Sequence, residues 1–167
     1  MTIPGTSLFS SLRRNHGLEH ATLNILAQRF PRRGMAGISF PGGFLIFGNL
    51  PTADLREAVM QAHMRLTNGE TRLAIHEHCG TNYVASGLVA GVLAWLGMAG
   101  ASGKRDRWER LPLVITLATL GFIASQPLGP VIQKHLTTSG DQQGMIIQDI
   151  HALQFGQVSL HRVVTRG

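Results

Sequence analysis

His16, Glu19 and His20 stand in the order H-x-x-E-H, within the run His16-Gly17-Leu18-Glu19-His20. A helix turns about 100° per residue, so positions i, i+3 and i+4 share one face. Two imidazoles on adjacent turns can hold one divalent ion. A carboxylate beside them can act as a general base toward water or become a third ligand. The order is that of the inverted H-E-x-x-H metalloprotease motif. The chain has eight histidines, so chance alone produces pairs at this spacing, and the motif needs a second source of ligands.

That source is His76-Glu77-His78-Cys79-Gly80-Thr81-Asn82. Imidazole and thiolate are donors that zinc prefers. Gly80 allows an unusual backbone angle, and Thr81 or Asn82 can cap a following helix. Together the two clusters can complete a three- or four-ligand site from His16, His20, His76 and Cys79, with zinc as the expected ion and Glu19 as the base or a further ligand. The bland alternative makes Cys79 a small interfacial residue and the histidines solvated.

The two motifs together, Arg14-Asn15-His16-Gly17-Leu18-Glu19-His20-Ala21-Thr22 and His76-x-x-Cys79-Gly80-Thr81-Asn82, resemble a family of uncharacterised bacterial membrane proteins. Its patterns are R-N-H-x-x-E-H-A-T and H-x-x-C-G-T-N, and the resemblance extends over most of the chain. A more distant resemblance, confined to the motifs and their place beside the membrane, is to predicted metal-dependent enzymes with H-G-x-E-H and H-x-x-C-G-T before membrane helices. These resemblances imply one shared site from His16, His20 and the His76/Cys79 segment, with Glu19 nearby. Neither implies a substrate. His78 falls where the patterns require no histidine and ranks lower. His63 reads as a surface or partly packed residue, and no spacing favours His135, His151 or His161. Gly42-Gly43 lacks the context of a phosphate-binding loop.

The elements that must position these residues follow from periodicity. A helix is expected from Ser7 to Phe30, stopped by Pro31 and Gly34. Gly37–Phe40 and Phe44–Phe47 read as a β-hairpin turning at Pro41-Gly42-Gly43. A second helix, Thr52–Thr67, has Thr52 as its expected N-cap and Asp54 at the positive end of its dipole. Asn68-Gly69 stops it, and Thr71–His76 reads as a third strand. Gly144–Leu153 and Gln157–Val164 alternate as two further strands, joined near Phe155-Gly156.

Between Glu77 and Lys104 there is no Asp, Glu, Lys or Arg, and a second uncharged run covers Leu111–Gln133. Crossing a bilayer takes about 20 mostly apolar residues, so both runs are expected to span, joined by a basic connector carrying Lys104, Arg105, Arg107 and Arg110. Gly87 and Gly91 form a small-xxx-small pair suited to close helix approach. The expected fold class is α+β: a metal-site domain at 1–81, a two-helix transmembrane hairpin at 82–130 and C-terminal strands at 131–167 that pack on the first domain.

Composition narrows the functions. With 14% charged and 44% apolar residues the chain is not of the disordered class. Its +6 net charge is dispersed in small groups with few aromatic residues, which excludes nucleic acid as the expected partner and favours anionic lipid headgroups. The single Cys79 allows no intrachain disulfide. Met1–Arg14 lacks the apolar stretch of a signal peptide, so a two-pass cell-membrane protein with both termini cytoplasmic is expected. Its partners are the bilayer and a membrane-associated substrate or protein, and an oligomer is compatible with the sequence. Two functions follow: a membrane-anchored zinc-dependent hydrolase such as a peptidase, or a non-enzymatic assembly factor with a structural metal. Haem binding is a distant third.

Overall fold

The computed structural model describes residues 4–155 and 158–167, with side chains described for 8–153 and 159–167. The chain is α+β and divides into two compact units, Met1–His76 with Lys134–Gly167, and Glu77–Gln133.

The first unit opens with helix α1, Pro4–Arg29. Strands β1, Ala36–Phe40, and β2, Gly43–Phe47, form the expected hairpin, with Phe40 paired to Gly43. Gly43 has φ +140°, and a Cβ there would lie 2.0 Å from the Val163 carbonyl oxygen, so glycine is required where the hairpin meets its next neighbour. Helix α2 covers Thr52–Thr67, as the periodicity predicts. Strands β3, Ile146–Phe155, and β4, Val158–Arg166, complete one antiparallel sheet in the order β1-β2-β4-β3. The β3–β4 turn expected near Phe155-Gly156 lies outside the described residues. Strand alternation sends Phe44, Ile46 and Val163 to one face of the sheet. There they form a core with Leu18 and Leu26 of α1 and Leu55 and Val59 of α2.

Two expectations fail locally. Pro51, not Thr52, occupies the N-cap of α2, and the Thr52 hydroxyl instead lies 3.1 Å from His161 Nε2. The strand expected at Thr71–His76 is a 3₁₀ turn over Thr71–Ala74. Gly69, at φ +92°, turns the chain. Leu73 N–H then bonds the Glu70 carbonyl and Ile75 N–H the Arg72 carbonyl. Side chains of α1 take the carbonyls of Leu73, Ala74 and Ile75, in place of a strand partner.

The second unit holds α3, Gly80–Met98, α4, Lys104–Ala124, and the short α5, Leu128–Ile132. A π-helical turn, Gln133–Thr137, follows. Contacts run in opposite senses along α3 and α4: Gly97 meets Leu117 and Val114, while Gly121 meets Leu93 and Ala90. The pair is therefore antiparallel. An added Cβ at Gly121 would sit 2.6 Å from Leu93 Cδ1, whereas at Gly87 or Gly91 it would meet nothing within 4 Å. The close approach uses Gly97 and Gly121, and the expected Gly87/Gly91 pair faces outward.

The basic residues expected in the connector form the opening turns of α4. Among the described residues only α3 is by itself long and apolar enough to cross a membrane. The second candidate passes only if Lys104–Ala124 and Leu128–Thr137, bent by 51°, are taken as one span. The charge-free part of α4, Leu111–Ala124, covers about 20 Å at 1.5 Å per residue, against roughly 30 Å of hydrocarbon. The two-helix transmembrane hairpin expected at 82–130 is thus not borne out: one helix qualifies, and the second uncharged run is interrupted before Pro127. In this unit the buried residues are small or polar, among them Asn82, Ser86, Gly97, Gly121, Ser125 and Gln133, while Val84, Leu88, Trp95, Trp108 and Ile115 are exposed.

Candidate metal centre

Three imidazoles converge in the first unit. The His16 and His20 ring centroids are 4.3 Å apart, and that of His76 lies 5.6 Å from His20. Each ring is held from behind through Nδ1. His16 Nδ1 is 2.9 Å from the Thr137 carbonyl oxygen, and His20 Nδ1 is 2.8 Å from the Ala74 carbonyl oxygen. A carbonyl can only accept, so both Nδ1 atoms carry the proton. His76 Nδ1 is 2.7 Å from Asn24 Oδ1. The Asn24 amide nitrogen donates to the carbonyls of Leu73 and Ile75, which fixes Oδ1 as the acceptor and His76 Nδ1 as the donor. In their neutral forms all three rings therefore carry the lone pair on Nε2. An outer oxygen on one nitrogen setting the other as donor is the usual arrangement around a bound metal.

A metal could be held by His16, His20 and Cys79. Within the first unit, His16 and His20 each offer one ring nitrogen, and these lie within 4.8 Å of one another. The donor set, two imidazoles and one thiol, fits a borderline-soft ion. Cys79 is buried and follows His76 by three residues.

Glu19 is buried and directed at β1. Ser39 Oγ donates to its Oε2, and a Cβ at Gly37 would lie 2.2 Å from its Oε1. The strand can approach this carboxylate only because residue 37 has no side chain. Burial pushes the Glu19 carboxyl above the usual range; the Ser39 hydrogen bond and the charge of His16 pull the other way.

The rest of the first motif builds the frame. Arg14 donates to the carbonyls of Asp141 and Gln143, and Arg13 to those of His135 and Thr138. Ser139 N–H returns a bond to the Arg13 carbonyl. Gly17 permits this strap: a Cβ there would lie 2.1 Å from the Ser139 carbonyl oxygen. Asn15, fully buried, donates to the carbonyls of Phe40 and Pro41 and accepts from Thr165 Oγ1.

Asn24, Asn15, Arg13 and Ser39 are positioning residues that sequence reasoning missed. Asn24 had a signal, since it follows His20 by four residues and so continues the same helical face. The other histidines serve elsewhere. His63 Nε2 meets the Met145 carbonyl, His151 pairs with Asp149, His161 lies in the core face of β4, and His78 lines a separate cleft with Glu77 and Tyr83.

Residues 11–150 match the family described as Domain of unknown function (DUF6391). The chain belongs to this family. An uncharacterised protein of Picosynechococcus sp. (strain ATCC 27264 / PCC 7002 / PR-6) is 35% identical over 149 residues, covering 82% of this chain and 70% of that protein. No solved structure matches the chain. The DUF6391 match takes in both motifs, Asn24, the 3₁₀ turn and the strap from Lys134 to Gln143, which are the parts that aim the imidazoles.

Proposed function

We propose that this chain is a membrane-anchored, metal-dependent hydrolase, with zinc held by His16, His20 and Cys79 and with Glu19 as the general base. The observation that carries the proposal is the common aim of the imidazoles, each with Nδ1 tied to an oxygen. When bound, the ion would polarise a scissile carbonyl and acidify water. Thr137, Ala74 and Asn24 hold the rings in the ligating tautomer. Glu19, kept from solvent and raised by burial, would accept the proton that the water gives up. Ser39 would hold that carboxylate in place.

Membrane anchoring is supported by the inverted burial of residues 77–133. Small and polar residues are inside and large apolar ones outside, the pattern of helices solvated by lipid. Trp95 and Trp108, both exposed, flank the α3–α4 connector as interfacial anchors do. In this reading α3 is one crossing and the bent α4–α5 run the return, with both termini cytoplasmic.

A second reading, an assembly protein with a structural metal, is favoured by the place of His76 beside His20, since a fourth donor closes a zinc site. The experiment is elemental analysis of purified protein with a paired assay on fluorescent casein and p-nitrophenyl acetate. About one ion per chain is expected, lost in His16→Ala and Cys79→Ser. Glu19→Gln is expected to keep the ion and abolish turnover. Metal content indifferent to both ligand substitutions sinks the site; bound metal with no turnover in the unsubstituted chain favours the structural role.

A further inference from the structure

Beside the imidazoles, still within the first unit, lies a cleft of about 420 Å³. One wall is the 3₁₀ turn, contributing Thr71, Arg72 and Ala74. The other is the strap, contributing Lys134, Thr138 and Gly140. These walls also hold the rings from behind: the Ala74 carbonyl takes His20 Nδ1, and the carbonyl of Thr137, one residue before Thr138, takes His16 Nδ1. Gly140 closes the walls on each other, since a Cβ there would sit 2.8 Å from the Thr71 Cβ.

The cleft carries two cations and no acid among its lining residues. Among the described residues neither the Arg72 guanidinium nor the Lys134 ammonium has a hydrogen-bonded or ion-paired side-chain partner. The nearest acid along the chain, Glu70, is bound to Arg65 at 2.5 Å. Two unneutralised cations on facing walls, with threonines beside them, suit one compact doubly charged oxyanion. Arginine offers a planar fork to such a group and lysine a point charge.

We propose that this cleft binds a phosphate group, carried by a soluble ester or by a lipid headgroup, with Arg72 and Lys134 as its charged contacts. As a statement about the substrate of the metal site it rests on the hydrolase reading; as a statement about anion binding it does not. A ligand held here would lie against the segments that orient His16 and His20, with its phosphate as the anchor.

The test is calorimetric titration of the detergent-purified full chain with glycerol 3-phosphate, and with mixed micelles containing phosphatidic acid against micelles of phosphatidylcholine alone. Saturable binding is expected, weakened about tenfold or more by Arg72→Glu and by Lys134→Glu and less by Arg72→Lys. Circular dichroism on each variant establishes that the chain is folded. Binding of glycerol 3-phosphate assigns a soluble ester; binding of phosphatidic acid alone assigns a headgroup. Absence of binding by every probe, or binding that folded charge-reversed variants retain, overturns the inference. Metal content is measured on the same samples: charge-dependent phosphate binding by a chain without metal would keep this site and defeat the hydrolase.

Discussion

In the unit of α1, α2 and the sheet, Asn15 alone bonds β1, the following turn and β4. In the unit of residues 77–133, Gly121 instead lets Leu93 press against a bare helix surface. The first buries leucine, isoleucine and phenylalanine and threads specific hydrogen bonds through them. The second leaves its large apolar side chains outside and buries Asn82, Ser86, Ser125 and Gln133. Polar groups in the first unit fix directions, which a ligand cluster needs. In the second, small residues set only how near two helices come. Substitutions in the first should therefore act on the site and the fold together, and those in the second, Cys79 apart, on packing alone.

The sharpest way to break this contrast is at the ligands. His20→Ala is expected to remove essentially all bound metal, whereas Gly91→Ala, on the open face of α3, should leave the content unchanged by elemental analysis. Next comes Gly17→Ala. Its methyl would collide with the Ser139 backbone, which cannot rotate away, so a loss of about 3 kcal/mol is expected in denaturant unfolding. The same change at Gly91 should be neutral or stabilise the helix by up to about 1 kcal/mol. If both changes cost the same, the strap does not lie against α1. Asn24→Ala should weaken metal affinity about 10- to 100-fold in chelator competition while leaving the saturated stoichiometry unchanged.

The smallest effect concerns His161, whose imidazole burial pushes below its ordinary 6.5. Its Nδ1 has no hydrogen-bond partner among the described residues. The unfolded chain then takes up a proton near pH 6.5 that the folded chain resists. This contribution is intact above that pH and declines as pH falls below it. Glu19, raised by burial, acts in the opposite sense, its cost to the fold being relieved as pH falls. The readout is therefore the difference between the unsubstituted chain and His161→Gln: the variant's melting temperature should fall less between pH 7.5 and 5.5.

What could be read from the sequence was whatever local pattern decides. Apolar periodicity and Pro or Gly stops located α1, the β1–β2 hairpin and α2, and residue chemistry singled out His16, His20 and Cys79. Thr71 to His76 misled because Leu73 and Ile75 alternate like a strand. The carbonyls of Leu73 and Ile75 are taken by Asn24, and that of Ala74 by His20, roughly fifty residues earlier. Gly87 and Gly91 had the right spacing, but which way a helix is rotated belongs to its partner. The second membrane run passed by composition, and its break depends on where α4 begins and on the bend before Pro127. Asn15 and Ser39 stayed hidden because nothing local marks a buried amide or hydroxyl as a tether.

The oxygen that aims His16 belongs to Thr137, 121 residues further along the chain. A nascent polypeptide therefore displays its H-x-x-E-H helix long before that ring has anything to lean on. Residues 77–133 leave the ribosome before the strap does, so translation imposes an order: helical pair first, oriented imidazole last. The proposed ion capture, in that final geometry, thus becomes available only once synthesis has passed residue 137.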